Sequence, residues 1–229
     1  MVLLITAMGK ASRRLWWSCL GLGGVLAFSL QARPARAEPT ASPWYVTGAV
    51  GMNWPTMRTN SGSLGSFEEF SNPGAAVELG AGVDLGSVRF EATYALDVSY
   101  LDSYVSVDDK VFQYSSGGRT QKNSVFLSGY WDMLQAKGWT PYLGAGIGYS
   151  HLGVEPFAED GRAYRGESES LLGYQFKAGM SIDLNRRDAL FAEAVYRGTS
   201  GFSTNDGYTI WRNGSFASWG GQIGVRIGL

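Results

Sequence analysis

The sequence has almost no cysteine or histidine. Its single cysteine is Cys19 and its single histidine is His151. A lone histidine excludes metal sites built from several histidines. With one cysteine the chain has no internal disulfide, so its fold must be held by other means.

Charged residues are also scarce. They make up 17% of the chain, against ~25% in typical soluble domains. The formal net charge of −1 gives no basic surplus, so no nucleic-acid partner is expected. Hydrophobic residues at 45% and aromatic residues at 14% argue against disorder. We therefore expect one folded domain and no cofactor.

Only the N-terminal part contains a long apolar run, Leu15 to Leu30. Ala35-Arg36-Ala37 follows it as an A-x-A cleavage site, and basic residues precede it: Lys10, Arg13 and Arg14. This order predicts a secretory signal peptide over residues 1–37 and a mature domain over residues 38–229. The alternative is a membrane anchor, but 16 residues are short for a hydrocarbon layer of ~30 Å.

Removal of the signal peptide makes the protein acidic. Five of the 19 basic residues leave with it, so 14 remain against 20 acidic residues, a net charge of −6. The residues lost are Lys10, Arg13, Arg14, Arg33 and Arg36. The mature chain also contains no cysteine.

The mature chain alternates between apolar residues and small or polar ones, residue by residue, in eight segments. A period of two predicts a β-strand with two different faces. The predicted strands are Trp44–Trp54, Ala75–Leu85, Val88–Tyr100, Lys122–Met133, Thr140–Leu152, Leu172–Leu184, Leu190–Thr199 and Trp219–Leu229.

Short and long links alternate between these strands. Three links have the length of hairpin turns: 86–87, 134–138 and 185–188. The other four are long and rich in Gly, Ser, Asn and charge: 55–74, 101–121, 153–170 and 200–216. Because short and long links alternate, the four long links lie at the same end of the strands. Loops beyond ~12–15 residues are uncommon in a compact domain, so four of them at one end indicate a function or a special setting there.

Eight up-and-down strands fit either a soluble barrel or an outer-membrane barrel. A soluble barrel points its apolar face inward, whereas a membrane barrel points it toward lipid. An eight-stranded barrel has room inside only for close-packed side chains, and the bulky face of Trp, Leu, Phe, Tyr and Met would overfill it. The opposite face is rich in Gly, Ser, Ala and Thr, which suits a narrow interior.

The sequence therefore predicts an all-β fold, an eight-stranded antiparallel up-and-down transmembrane β-barrel. Aromatic residues fall near both ends of the strands, as in the two interface belts of membrane barrels. The belt at the short turns contains Trp44, Trp131 and Trp139, and the belt at the long loops contains Trp54, Tyr100, Tyr149 and Trp219. With short turns in the periplasm, both termini are periplasmic and the four long loops are extracellular.

The predicted inner face carries charges of both signs. We expect a structural network in the lumen formed by Glu78, Arg89, Glu91, Asp97, Lys177, Glu193, Arg197 and Arg226. Balanced charges in a narrow tube favour ion pairs, and the alternative is a charged channel.

Three stretches resemble the small outer-membrane β-barrel family, OmpA-like and opacity-type. They are TPYLGAGIGY (140–149), AEAVYR (192–197) and the chain end Gln222-x-Gly224-x-x-Ile227-x-Leu229. The chain end is similar to the signal that the barrel-assembly machinery reads, although members usually end in Phe or Trp. The resemblance implies the bacterial outer membrane, with its lipid and lipopolysaccharide, periplasmic chaperones and the assembly machinery as partners.

The same resemblance implies a non-catalytic role, either structural or in binding an unidentified surface ligand through the four loops. One alternative is a small-solute, porin-like channel. The other is a lipid-modifying hydrolase at the outer rim, in which His151 would need a partner such as Ser170 or Glu169, since the adjacent Ser150 faces the opposite side of the strand. The glycines at 144, 146 and 148 are not a dinucleotide motif, which needs G-x-G-x-x-G before a helix.

Overall fold

The alternating segments of the sequence form β-strands in the computed structural model. It describes residues 42–63, 65–106, 111–113, 116–133, 138–159, 162–164, 166–205 and 210–229. The predicted signal peptide, residues 1–37, lies outside these ranges. Within them, no helix is long and apolar enough to cross a membrane.

The described residues contain fifteen strands. They are β1 (Trp44–Pro55), β2 (Arg58–Gly62), β3 (Gly65–Asp84), β4 (Val88–Ser106), β5 (Val111–Gln113), β6 (Ser116–Gly117), β7 (Arg119–Asp132), β8 (Trp139–Val154), β9 (Phe157–Glu159), β10 (Arg162–Tyr164), β11 (Glu167–Asp183), β12 (Asp188–Thr199), β13 (Phe202–Asn205), β14 (Ile210–Asn213) and β15 (Ser218–Gly228).

Eight of these strands form a closed antiparallel ring. Its order is β1, β3, β4, β7, β8, β11, β12 and β15, and β15 pairs again with β1. Closure pairs both edges of every strand, which removes the exposed sheet edges that promote aggregation. The predicted eight-stranded antiparallel barrel is confirmed.

The register of the ring fixes the width of the barrel. A walk through paired residues that starts at Tyr45 returns to β1 at Pro55, ten positions further along. The steps of this walk are Tyr45, Gly82, Glu91, Ser128, Gly146, Gln175, Arg197, Ser218 and Pro55. Such a stagger tilts the strands by roughly 35–45° and leaves an interior that side chains fill.

The two faces of each strand lie where the alternation predicts. In β1, Trp44 is 58% exposed and Val50 57% exposed, whereas Tyr45 and Asn53 are each 3% exposed. The aromatic residues of both predicted belts are exposed on the outer wall. Trp54 and Trp219 are paired across β1 and β15 at the end that carries the long links. We call this the long-link end and the opposite one the short-turn end.

The short turns depend on glycine and on side-chain caps. Gly86 and Gly138 have φ angles of +98° and +90°, a region that residues with a Cβ atom rarely adopt. The Asp84 carboxylate accepts a hydrogen bond from the Gly86 N–H at 2.8 Å. In the third turn, the Asn185 side chain accepts from the backbone N–H of Arg187 at 2.8 Å.

The strands at the long-link end are longer than predicted. β3 has 20 residues and β4 has 19, and the links predicted as loops contain β2, β5, β6, β9, β10, β13 and β14. The alternation fails there for a physical reason: beyond the belts no lipid requires an apolar face, and register shifts at Phe70/Ser71 and Asn72/Ala75 change the faces.

The glycines of β8 make room for side chains of β7. A Cβ atom on Gly144 would lie 2.6 Å from Cδ1 of Tyr130, and one on Gly146 would meet the Ser128 hydroxyl. One on Gly148 would overlap the Val125 carbonyl oxygen and approach Cδ1 of Phe126 at 2.8 Å. The glycines of β8 therefore leave space on the inner side of the barrel wall, and residues of the neighbouring strand β7 fill it.

Replacing Gly148 by alanine is expected to destabilise the barrel by about 1–3 kcal/mol, because the new methyl group meets backbone that cannot rotate away. The midpoint of urea unfolding, followed by gel mobility of unboiled samples, measures the effect. Gly129→Ala is the matched control: it faces outward on β7 and its methyl group would lie 3.6 Å from Phe90. Equal midpoints for the two variants would contradict the steric explanation.

Candidate functional site

Ion pairs cross the lumen between strands on opposite sides of the ring. Lys177 on β11 pairs with Glu78 on β3, and Arg197 on β12 pairs with Asp97 on β4, with 3.0 Å between Nη1 and Oδ1. In each case the two strands are four places apart in a ring of eight, so each pair lies along a diameter.

Further contacts join these two pairs into one network. Arg197 also pairs with Glu78, and Lys177 Nζ lies 3.0 Å from Oε1 of Glu193. The side chains of this central cluster are at most 4% exposed. Buried charges are stable only when they are paired and hydrogen-bonded, so each charge of the network depends on its partners. Since the partners lie on different strands, the network links β3 and β4 to β11 and β12 across the lumen.

Lys122 also belongs to the network, although it is not one of the predicted network residues. Its Nζ lies 3.4 Å from Oδ2 of Asp97, and its side chain is 2% exposed. The signal was present, since Lys122 shares the inward face of its strand with Ser124 and Phe126. It stands at the first position of the predicted strand.

A second cluster lies toward the short-turn end. Nε and Nη2 of Arg89 donate to the two carboxylate oxygens of Asp132, each at 3.0 Å. The guanidinium also lies over the rings of Tyr130 and Tyr142, 4.8 Å and 4.9 Å from their centroids. Asp132 is not one of the predicted network residues.

Neutral side chains fill the space around both clusters. Tyr142 donates to Oε2 of Glu193 at 2.8 Å, and Gln175 donates to the Ser128 hydroxyl at 2.8 Å. The cavity beside Glu78, Arg89 and Glu193 is about 10 Å³, roughly the space for one water molecule. The middle of the lumen is therefore packed.

The eight predicted network residues occupy three different places. Glu78, Asp97, Lys177, Glu193 and Arg197 belong to the central network. Arg89 forms its own pair, and Glu91 accepts a hydrogen bond from Tyr130 at 3.3 Å. Arg226 forms no ion pair with the described residues, and its guanidinium lies 5.7 Å from the centroid of the Tyr45 ring.

The predicted assembly signal lies on β15, which closes the ring. Gln222 points into the lumen and donates to Glu193, and a Cβ atom on Gly224 would meet Phe191 and the backbone of Gly48. Ile227 and Leu229 are exposed on the outer wall.

His151 and Ser170 meet on the outer wall at the long-link end. His151 Nδ1 lies 3.0 Å from Ser170 Oγ, and both residues are exposed. They are directly paired across β8 and β11, so they share a face. Glu169, the other predicted partner, is paired with Leu152 and lies on the opposite face.

Beyond the barrel, the strands at the long-link end continue as a six-stranded sheet ordered β13, β14, β2, β3, β4 and β5. Arg58 and Glu69 form a short ion pair there, with 2.6 Å between Nη2 and Oε1. Four half-buried aromatic rings pack in a row with centroids 4.9–5.5 Å apart: Trp211, Phe67, Tyr104 and Phe112.

No protein-family model and no curated protein matches the sequence. Solved structures do. Neisserial surface protein A matches with a TM-score of 0.51 and 19% identity, over 83% of this chain and 100% of that one. This similarity shows the fold of an outer-membrane β-barrel.

Two further barrels match less well. Ail of Yersinia pestis, in complex with the heparin analogue sucrose octasulfate, gives a TM-score of 0.40 and 13% identity over 81% of this chain and 100% of that one. The outer membrane protease OmpT of Escherichia coli gives 0.46 and 10% over 84% and 99%.

Among the described residues, no group of three or more His, Cys, Asp or Glu side chains is placed to hold a metal ion.

Proposed function

We propose that the protein is an integral outer-membrane barrel that acts at the bacterial cell surface without catalysing a reaction. The observation that carries this proposal is the continuation of the strands beyond the membrane. A transmembrane strand needs ~9–11 residues, whereas β3 and β4 have 20 and 19. About half of each strand is thus available to build the six-stranded sheet outside. The sequence resemblance to the OmpA-like and opacity-type family supports the same role.

The charge of the long links indicates which kind of partner this surface favours. Over residues 55–74, 101–121, 153–170 and 200–216 there are 11 acidic and 6 basic residues, a net charge of −5. This is most of the charge of the mature chain. An acidic surface with half-buried aromatic rings favours neutral or cationic partners and repels polyanions.

The absence of cysteine from the mature chain allows a direct test of this orientation. We expect a single cysteine introduced at Val111, which is 65% exposed on β5, to react with a membrane-impermeant maleimide on intact cells. A cysteine introduced at Ser87, in a short turn, is expected to react only after the outer membrane is permeabilised. The reverse pattern, or no reaction at Val111→Cys on intact cells, would contradict the proposal.

A second function is favoured by the contact between His151 and Ser170. A serine and a histidine within 3.2 Å form the nucleophile and base of many hydrolases, and this pair lies at 3.0 Å on the outer wall. In such a reaction His151 would accept the Ser170 proton while the serine oxygen attacks a lipid ester. His151 would return that proton to the alcohol of the lipid, which leaves as the ester C–O bond breaks. Water would then hydrolyse the acyl-serine bond, which releases the fatty acid and restores Ser170.

Fatty-acid release from lipopolysaccharide by the purified protein distinguishes the two functions. Activity that is lost in both His151→Ala and Ser170→Ala, but kept in the control Ser168→Ala, would establish the hydrolase and contradict the non-catalytic proposal. Ser168 is the matched control because it lies on the same exposed edge of β11, paired with Gly153. We expect no release from any of these proteins.

A further inference from the structure

A polar pocket of about 450 Å³ opens at the short-turn end of the barrel. The third short turn forms one side, with Arg186 and Arg187, and the end of β15 contributes Arg226. Trp44, at the start of β1, and Asp183 also line the pocket. The pocket is separate from the central ion-pair network.

The arginines of this pocket lack the partners that other basic residues have. Ten basic residues have side chains that the structure describes. Six of them form ion pairs with carboxylates: Arg58, Arg89, Arg119, Lys122, Lys177 and Arg197. Of the remaining four, Arg186, Arg187 and Arg226 all line this pocket. Three arginines that form no ion pair with the described residues therefore line one pocket.

Three aspartates also line the pocket, Asp84, Asp183 and Asp188, so acidic and basic residues are equal in number there, although none of these aspartates forms an ion pair with the three arginines. Asp84 accepts from the Gly86 backbone at 2.8 Å, and Asp188 accepts from Asn185 at 2.7 Å. The Asp183 side chain forms no hydrogen bond or ion pair with the described residues, although it lines the same pocket. The pocket thus combines guanidinium donors with one carboxylate, that of Asp183, that has no partner among the described residues.

This arrangement matches a ligand that carries a phosphate and an amine. Guanidinium groups bind phosphate through two parallel hydrogen bonds, and a carboxylate accepts hydrogen bonds from an ammonium group. Trp44, which also lines the pocket, is 58% exposed, as expected of an aromatic residue where a barrel meets the membrane interface.

We propose that the pocket binds the headgroup of an amine-bearing phospholipid of the inner leaflet. Its phosphate would lie among Arg186, Arg187 and Arg226, and its amine beside Asp183. The proposal rests on the orientation given under the proposed function, in which the short turns face the periplasm.

Native mass spectrometry of the mature protein in a neutral maltoside detergent tests the proposal. The probes are dihexanoyl phosphatidylethanolamine, dihexanoyl phosphatidylglycerol and inorganic phosphate. We expect the amine-bearing lipid to bind most tightly and inorganic phosphate least tightly. Arg186→Gln/Arg187→Gln is expected to raise the Kd of both lipids by about tenfold or more, because charge-assisted hydrogen bonds are lost.

Two further variants sharpen the result. Asp183→Asn is expected to weaken binding of the amine-bearing lipid and leave phosphatidylglycerol unchanged. Arg212→Gln is the matched control. Arg212 is also exposed and forms no ion pair with the described residues, but it lies on β14, at the long-link end. It is expected to bind both lipids as the unaltered protein does.

Equal affinity of Arg186→Gln/Arg187→Gln and Arg212→Gln would overturn the proposal. Inorganic phosphate binding as tightly as the lipids would overturn the lipid as the source of the phosphate. Unboiled samples on a gel show that each variant is a closed barrel, so a loss of binding is not a loss of folding. Because binding is measured in detergent, it is independent of the maleimide test, whose failure would instead overturn the orientation.

Discussion

Arg89→Met is expected to lower the free energy of unfolding by about 3–5 kcal/mol, the range found when one member of a buried ion pair is removed. Asp132 is buried, and among the described residues its carboxylate is paired with Arg89 alone. The substitution would leave that charge in the lumen without a cation. Urea unfolding in lipid vesicles, followed by tryptophan fluorescence, measures the loss.

Two comparisons separate the charge effect from a packing effect. Arg119→Met removes an arginine whose pair with Glu155 is exposed, with 3.3 Å between Nη1 and Oε1, and exposed pairs contribute about 0–1 kcal/mol. The double variant Arg89→Met/Asp132→Leu removes both charges and is expected to recover most of the lost stability. If the double variant is no more stable than Arg89→Met, an unpaired carboxylate is not the cause.

The second large effect concerns conductance. We expect the mature protein to show no single-channel steps in a planar lipid bilayer, because two ion pairs lie along diameters of the lumen. The cavity beside Glu78, Arg89 and Glu193 holds only about one water molecule. Single-channel steps in the unaltered protein that change when Arg89 or Glu91 is replaced would instead favour the porin-like alternative.

Removing the pairs is expected to open the barrel. The variant carries serine at the four positions of the two crossing pairs: Glu78, Asp97, Lys177 and Arg197. Two acidic and two basic residues are removed, so the net charge of the lumen does not change. Lys122 and Glu193 lose their partners Asp97 and Lys177, so gel mobility of unboiled samples must show that the variant is still a closed barrel. The control carries serine at Arg119 and Glu155, an exposed pair outside the lumen. Steps in the first variant and none in the control are the expected result.

Much of the barrel wall could be predicted from the sequence. The strand count, the outward position of residues such as Val50, and the short turn at Gly86 all follow from alternation and turn chemistry. Both are local properties: a strand's faces have a period of two, and a turn with positive φ needs glycine. The face rich in glycine decided between a membrane barrel and a soluble one. Because only a narrow interior explains so many glycines on one face, that face lies inside and the apolar face is directed to lipid.

The partners of the charged residues could not be predicted in the same way. The alternation of the strands places Glu78 and Lys177 on the inner face, but it does not predict that they lie opposite each other. Their contact depends on the ten-residue stagger of the ring and on β3 and β11 being four strands apart. The contact of His151 with Ser170 likewise depends on the register between β8 and β11.

The long links show the same division. Their length and polarity indicated a special end of the molecule, but not the strands β2, β5, β13 and β14 that form there. Without lipid on one side, no alternation is required, and pairing is decided by neighbouring strands that are distant in sequence. The sequence by itself determined which side of each barrel strand faces lipid, because that depends on one residue and its neighbours. Only the tertiary structure decided which side chains meet, because that depends on the closure and stagger of the whole ring.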